Sequence, residues 1–172
     1  MIAAASVLIL GCGNHAASAT KLTVMMNGLP GAMGKEIAAA CLRRKGVGLA
    51  PFALTGAGCG GEVDVDDGSG GSPMTVKLYE PEQRDELAAA AKAAFPDLGS
   101  LVCVDFTHPS AVNGNAEWYA ANQLPFVMGT TGGDRDALLA CVDDAKTYAV
   151  IAPNMAKQIV ALQAALQQMA EE

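Results

Sequence analysis

The sequence is poor in aromatic, charged and histidine residues. Of its 172 residues 5% are aromatic and 17% charged, two are histidines, and the formal net charge is −7. Because no basic stripe is present, the chain lacks the positive surface with which proteins neutralise nucleic-acid phosphates. No apolar run approaches the roughly 18 residues that a membrane span requires. We therefore expect no nucleic acid and no membrane as partner.

The cysteines lack the spacing of a disulfide framework or a metal site. There are five of them, an odd number, and no two form a CxxC pair. Cys41, Cys103 and Cys141 fall on apolar faces, where a free cysteine behaves as a small hydrophobic residue. This usage favours a reducing compartment and argues against a bound metal.

What the chain does contain is a regular alternation of strand-like and helix-like segments, with 51% hydrophobic residues overall. The strand-like runs are continuously apolar, which is typical of strands covered on both faces. The pattern predicts an α/β fold with a doubly wound parallel sheet of the Rossmann type. The predicted strands are 21–26, 49–54, 74–79, 101–106, 125–129 and 148–152; the predicted helices are 32–45, 82–94, 109–122, 134–146 and 156 onwards. The Gly-, Ser- and Asp-rich segment 56–73 is predicted to be a mobile surface loop without chemistry.

The loop after the first strand reads NGLPGAMG and carries glycines at 28, 31 and 34. A helix N-terminus presents unpaired N–H groups and a partial positive charge, which suit a phosphate. Glycines there permit positive φ and let a diphosphate approach the main chain. The alternative is a tight strand–helix turn without a ligand, but the position after the first strand of an α/β pattern favours a nucleotide.

Two other nucleotide-binding patterns do not fit. A P-loop requires glycine at 29 and Ser or Thr at 36, where the chain has Leu29 and Glu36. A short-chain dehydrogenase requires a lysine four residues after a tyrosine. The residues at that distance from the three tyrosines are Gln83, Gln123 and Ala152.

Three further segments follow strands and should lie at the carboxyl edge of the sheet, where ligands bind. They are DFTHP (105–109), GTTGG (129–133) and APNMAKQ (152–158). Thr107 and Thr130 could contact a ribose, carboxamide or carboxylate, or could simply cap helices, as Ser and Thr often do. His108, before Pro109, fits a surface or capping role better than a catalytic one.

Taken together, these segments resemble dihydrodipicolinate reductase (4-hydroxy-tetrahydrodipicolinate reductase), in particular its plant-like branch. The resemblance rests on MNGLPGAMGKEIAAA, VDFTHPSAVNGNAEWY, LPFVMGTTGGDRD and YAVIAPNMAKQIVALQAALQQMAE, which cover most of residues 21–172 in order. It implies hydride transfer from NADH or NADPH to an unsaturated cyclic dicarboxylate, giving tetrahydrodipicolinate in lysine (diaminopimelate) biosynthesis. The full-length protein would be a homo-oligomer.

The resemblance also implies roles for particular residues. Gly28, Gly31, Ala32 and Met33 would hold the diphosphate, and Phe106 and Thr107 would line the ribose and nicotinamide side. Gly129, Thr130 and Thr131 would hold the nicotinamide end, with Thr131 bordering the substrate. The cofactor cleft would be closed by Ala152, Pro153, Asn154 and Met155.

Cofactor preference depends on the end of the second predicted strand, where FALTGAG offers Thr55 and glycines instead of a carboxylate. Bacterial members of the family usually have Arg at the position of Ala32. Without a carboxylate to repel a 2′-phosphate, and with Lys35 nearby, the sequence favours NADPH over NADH. Lys35→Glu is then expected to weaken binding of NADPH more than that of NADH.

The predicted organisation has three parts. Residues 1–20 would form a poorly ordered leader or targeting remnant, 21–155 the dinucleotide-binding domain, and 156–172 the start of a hinge helix. No glycine cap or proline stop follows that helix, and the family's proton donor and carboxylate-binding motif belong to a second domain that is not in this sequence. We therefore expect a cofactor-binding half without catalytic residues and without turnover.

The alternatives are a stand-alone nucleotide-binding or regulatory module and a non-functional truncated product. The expected location is the plastid stroma in a plant or alga, otherwise the cytoplasm.

Overall fold

The computed structural model describes residues 22–152 and 154–171. The predicted leader and Pro153 therefore lie outside the described residues. Within these ranges the strands are β1 (Leu22–Asn27), β2 (Val47–Leu49), β3 (Phe52–Leu54), β4 (Gly61–Val65), β5 (Met74–Tyr79), β6 (Leu101–Asp105), β7 (Phe126–Met128) and β8 (Ala149–Ile151). The helices are α1 (Ala32–Arg43), α2 (Arg84–Ala94), α3 (Val112–Ala121), α4 (Arg135–Ala145) and α5 (Lys157–Glu171).

The main sheet is parallel throughout and has the strand order β2-β1-β6-β7-β8. Successive side chains of β1 point to opposite faces, so that Met25 and Met26 enter different hydrophobic clusters. The cluster of Met25 includes residues of α2, α3 and α4, whereas that of Met26 includes residues of α1, β4 and β5. A parallel sheet with both faces covered confirms the predicted α/β fold class.

The region between β2 and β5 differs from the prediction. The expected strand 49–54 is two short strands in different sheets, divided at Ala50 and Pro51. The expected loop 56–73 contains β4, which pairs antiparallel with β5 in a three-stranded sheet of order β3-β5-β4. The exposed acidic side chains Glu62 and Asp64 mask β4 in the sequence, since a strand with one wet face has no continuous apolar run.

The helix boundaries follow local chemistry. The Asp134 carboxylate accepts hydrogen bonds from the N–H groups of Asp136 and Ala137 and so caps α4. Helix α5 exposes the apolar side chains of Ile159, Leu162, Leu166 and Met169. Among the described residues, no helix combines the length and apolar character needed to cross a bilayer.

Candidate functional site

The turn between β1 and α1 requires its glycines. Gly28 has φ +101°, and a Cβ at this position would lie 2.1 Å from the carbonyl oxygen of Phe106. A Cβ on Gly31 or Gly34 would lie 2.8 Å or 3.1 Å from the Gly28 carbonyl oxygen. The main chain of this turn therefore packs closely against the segment that follows β6.

The N-terminus of α1 is left without a side-chain cap. Gly31 occupies the capping position, no side chain accepts a hydrogen bond from the helix there, and the first turn holds no acidic residue. The first N–H groups of any helix have no acceptor within the helix itself. The α1 terminus can therefore offer its N–H groups to an anion, unlike α4, which Asp134 caps.

A cleft of about 510 Å³ opens beside this turn. Its walls come from the turn itself, the loop after β3, the start of α2 and the segment after β6. Thr55 lines this cleft, but its hydroxyl group donates a 2.5 Å hydrogen bond to the Leu29 carbonyl and so braces the glycine turn. Of the residues predicted for a cofactor, this cleft brings together Gly28, Gly31, Thr55, Phe106 and Thr107.

Two further clefts share Phe106 with the first. One has a volume of about 460 Å³ and the other about 280 Å³, and both contain Met33, Phe106 and Gly129. A Cβ at Gly129 would lie 2.3 Å from Cζ of Phe106, so this glycine makes room for the aromatic ring. Among the predicted residues these clefts also collect Thr107, Thr130, Thr131, Ala152, Asn154 and Met155.

Three predicted residues stand apart from these clefts. Ala32 and Lys35 are exposed on the first turn of α1 and do not line any of the three. Ala32 can still offer its backbone N–H, because it is the first residue of the helix. Pro153 lies outside the described residues.

Sequence reasoning missed the centre of the site, the buried carboxylate of Asp105 at the end of β6. Its Oδ1 accepts hydrogen bonds from the backbone N–H of Thr107 (3.1 Å) and from the hydroxyl groups of Thr107 (2.8 Å) and Thr130 (2.7 Å). Its Oδ2 accepts from Nδ2 of Asn115 (2.9 Å) and from the hydroxyl of Tyr119 (2.7 Å). Thr107 and Thr130 are therefore oriented by Asp105, and the capping role considered for them is wrong, because His108 and Asp134 occupy the capping positions.

Tyr119 extends this network to the first strand. Its hydroxyl accepts a 2.8 Å hydrogen bond from Nδ2 of Asn27, and the Oδ1 atom of Asn27 accepts from the Leu54 N–H. Burial, with the nearby Asp105 carboxylate, raises the pKa of Tyr119 and of Cys103 well above the ordinary values. The ends of β1, β3 and β6 are thus joined by one fully buried set of polar side chains.

Arg84 is a second residue that the sequence did not reveal. It is the first residue of α2, it lines the 510 Å³ cleft, and Nη2 of its guanidinium donates to Oδ1 of Asn115. His108 lines the same cleft, and its Nδ1 accepts a hydrogen bond from the Ser110 N–H. His108 is exposed and caps the turn Pro109–Ala111, which agrees with the surface or capping role that the sequence favours.

Comparison with known proteins agrees with this geometry. The family model described as "Dihydrodipicolinate reductase, N-terminus" matches residues 22–155. The chain belongs to the dihydrodipicolinate reductase family. In this family the matched region is the dinucleotide-binding domain, which agrees with the parallel sheet and the glycine turn.

Similar proteins include plant and cyanobacterial reductases. The chloroplastic 4-hydroxy-tetrahydrodipicolinate reductase 1 of Arabidopsis thaliana is 43% identical over 152 residues, which are 88% of this chain and 41% of that protein. A probable chloroplastic reductase 2 of Oryza sativa is 39% identical, over 87% of this chain and 43% of the relative. The reductase of Thermosynechococcus vestitus is 33% identical, over 85% and 51%. The chain therefore spans about two fifths of the length of the plant relatives that it matches.

Proposed function

We propose that this chain binds NADPH or NADH across the carboxyl edge of its main sheet, as the cofactor-binding part of a 4-hydroxy-tetrahydrodipicolinate reductase. The observation that carries the proposal is the uncapped N-terminus of α1, reached through a turn whose glycines leave the backbone bare. The turn lines one cleft and Met33, in the first turn of α1, lines another, so a dinucleotide with its diphosphate on the α1 terminus would place its two halves in these clefts.

The two halves of the cofactor are then assigned by the residues of each cleft. The diphosphate would lie over Gly28, Gly31, Ala32 and Met33, and the adenosine half would lie beside Thr55. The nicotinamide half would lie against Phe106 and Gly129, where Thr131 borders the substrate. This half would also be lined by Thr107, Thr130, Ala152, Asn154 and Met155, with Pro153 between them in the sequence.

In such a reaction the cofactor supplies the hydride, and the protein binds, orients and excludes water. Asp105 fixes the hydroxyl groups of Thr107 and Thr130 beside the nicotinamide cleft, and Phe106 supplies an apolar wall that excludes water there. The substrate is 4-hydroxy-tetrahydrodipicolinate in this proposal, because the relatives are named for its reduction. The product, tetrahydrodipicolinate, is an intermediate of lysine biosynthesis.

The division of the chain follows from this function. We propose a dinucleotide-binding domain over 21–155, preceded by a leader at 1–20 and followed by a hinge helix from 156. Proton donation and binding of the substrate carboxylates would require a further domain, so the 172-residue chain should bind cofactor without turnover. A plastid location is proposed because the two Arabidopsis thaliana relatives are named chloroplastic. The loop after β3, Thr55–Gly56–Ala57, carries no carboxylate, and this supports NADPH.

Isothermal titration of the purified chain with NADPH and NADH tests the proposal. Met33 is 55% exposed in the first turn of α1, so Met33→Glu should leave the helix stable, or even favour it, while repelling a diphosphate. We expect both cofactors to bind the unchanged chain and to bind Met33→Glu at least ten times more weakly. Leu139→Glu on α4, where the leucine is 45% exposed, makes the same change in charge and should bind normally.

Four results would count against the proposal. If neither cofactor binds a folded sample, the dinucleotide site does not exist. If Leu139→Glu weakens binding as much as Met33→Glu, the effect is one of net charge and not of the α1 terminus. Reductase turnover by the chain alone would contradict the proposed division of labour, and nucleotide binding that excludes nicotinamide cofactors would favour a regulatory module.

A further inference from the structure

Arg84 is a half-buried cation held in a fixed orientation at the wall of the 510 Å³ cleft. Its Nη2 atom donates to Oδ1 of Asn115, and the other side of that amide donates to Asp105 and Thr107. Its Nε atom is buried and has no hydrogen-bond partner among the described residues. A buried donor without an acceptor is costly, and the described residues therefore leave part of the donor capacity of this guanidinium unused.

The electrostatics of Arg84 point the same way. Within the described residues the one ion pair joins Lys146 and Asp143, so no carboxylate lies within 4.0 Å of the guanidinium. A cation in the first turn of α2 is also disfavoured by the helix dipole, in contrast to Asp85 and Glu86 beside it. The nearest acidic group along its hydrogen bonds is Asp105, whose two oxygens already accept from five donors.

We propose that Arg84 binds the 2′-phosphate of NADPH and thereby sets the cofactor preference of this domain. The inference rests on the proposed function, which places the diphosphate on α1 and the nicotinamide beyond Phe106. Those assignments leave the adenosine half in the cleft that Arg84 lines together with Thr55 and Gly56. A planar guanidinium with several donors is well suited to a phosphate monoester.

Arg84 thereby replaces Lys35 as the residue expected to discriminate the cofactors. Lys35 is exposed on α1 and does not line this cleft, so its ammonium group is solvated and screened. The two residues carry the same charge in this acidic chain, and comparing their variants separates a local contact from a change in net charge.

The test is the affinity of Arg84→Gln and Lys35→Gln for NADPH and NADH, measured by isothermal titration with a thermal melt of each variant. We expect Arg84→Gln to weaken NADPH binding about 10- to 100-fold and NADH binding less than about 2-fold, because only NADPH has the 2′-phosphate. Lys35→Gln should change neither affinity by more than about 2-fold. The affinity for adenosine 2′,5′-bisphosphate should change in each variant as the affinity for NADPH does, and the affinity for 5′-ADP should change as that for NADH does.

Several outcomes would overturn the assignment. Equal weakening of both cofactors by Arg84→Gln would mean that Arg84 contacts the diphosphate or the adenine, or only supports Asn115. A selective loss of NADPH in Lys35→Gln instead would return the role to Lys35. If Arg84→Gln does not fold, Arg84→Lys keeps the charge and a donor for Asn115. This variant should bind adenosine 2′,5′-bisphosphate several-fold more weakly and 5′-ADP with unchanged affinity. Equal losses of affinity for both compounds would refute the proposal.

If the unchanged chain binds neither NADPH nor NADH, the proposed function itself fails. That result differs from normal binding of both cofactors without an Arg84 effect, which would refute this inference alone.

Discussion

Asp105 carries five hydrogen bonds on two carboxylate oxygens while its side chain is completely buried. Every one of these contacts uses Asp105 as the acceptor, and each of its partners finds its own acceptor in Asp105 or in a neighbour. A network satisfied in this way holds its members in one arrangement. The orientation of Thr107 and Thr130 beside the 280 Å³ cleft is therefore decided by a residue that does not itself line that cleft.

Asp105→Asn should destabilise the fold and disturb the cleft. An amide keeps one acceptor oxygen and turns an NH₂ group towards two or three donors, so buried donors lose their partner at about 1–3 kcal/mol each. We expect the free energy of unfolding, measured in urea, to fall by about 2–4 kcal/mol. Asp144→Asn at an exposed position of α4 is the matched control, with an effect within about 0.5 kcal/mol. Equal stability of the two variants would show that the network contributes little.

At the scale of elements, the cleft depends on how the loop after β3 is attached to the start of α2. The Glu80 carboxylate accepts hydrogen bonds from the N–H groups of Gly58 (2.9 Å) and Gly60 (3.0 Å). The backbone N–H of Glu80 donates a hydrogen bond to Oε1 of Gln83 in the turn that leads into α2. Because this loop and Arg84 line the same cleft, Glu80 keeps two of its walls together.

Glu80→Ala should loosen this loop while the rest of the fold persists. Loss of two charge-assisted hydrogen bonds should speed amide hydrogen exchange at Gly58 and Gly60, which NMR can follow residue by residue. If the proposed function holds, the affinity for 5′-ADP should also fall a few-fold, since one wall of the 510 Å³ cleft is less ordered. Glu82→Ala, an exposed neighbour in the same turn, is the control and should leave both quantities unchanged. Unaltered exchange at both glycines in Glu80→Ala would contradict the role given to Glu80.

At the scale of the whole molecule, the buried Tyr119 and Cys103 make the stability of the fold depend on pH in the alkaline range. Burial raises the pKa of the Tyr119 hydroxyl and of the Cys103 thiol well above their ordinary values of 10.0 and 9.0. The folded protein therefore keeps both protons at a pH where the unfolded chain releases them. By linkage the stabilisation is complete at neutral pH and declines as the pH rises above about 9.

The free energy of unfolding, measured in urea, should therefore be constant from pH 7 to 8 and fall at higher pH. Each of the two groups contributes at most about 1.4 kcal/mol per pH unit to this fall. Tyr119→Phe removes one of these groups and should make the decline above pH 10 less steep. It also costs about 1–3 kcal/mol at neutral pH, because Asp105 and Asn27 lose a partner. Tyr148→Phe, at a tyrosine that is 85% exposed, should keep the original slope. A decline as steep in Tyr119→Phe as in the unchanged chain would refute the assignment to Tyr119.

The sequence by itself determined the alternation of strands and helices, the parallel sheet and the bare turn before α1. Apolar runs, glycines and caps such as Asp134 act through the backbone of their own segment, and so they leave a local pattern that can be read without coordinates. The family resemblance, which the comparisons confirm, adds the dinucleotide-binding role and the residues expected around it.

Only the tertiary structure decided that β4 forms a strand, that Asp105 orients two threonines, and that Arg84 reaches a cleft formed mainly by other segments. Arg84 and Asn115 are 31 positions apart, and Asn27 and Tyr119 are 92 apart. Contacts over such separations depend on how elements pack, and no spacing in the sequence records them. The Thr55 hydroxyl shows the same limit: the sequence offers it to a ligand, whereas packing directs it to the Leu29 carbonyl.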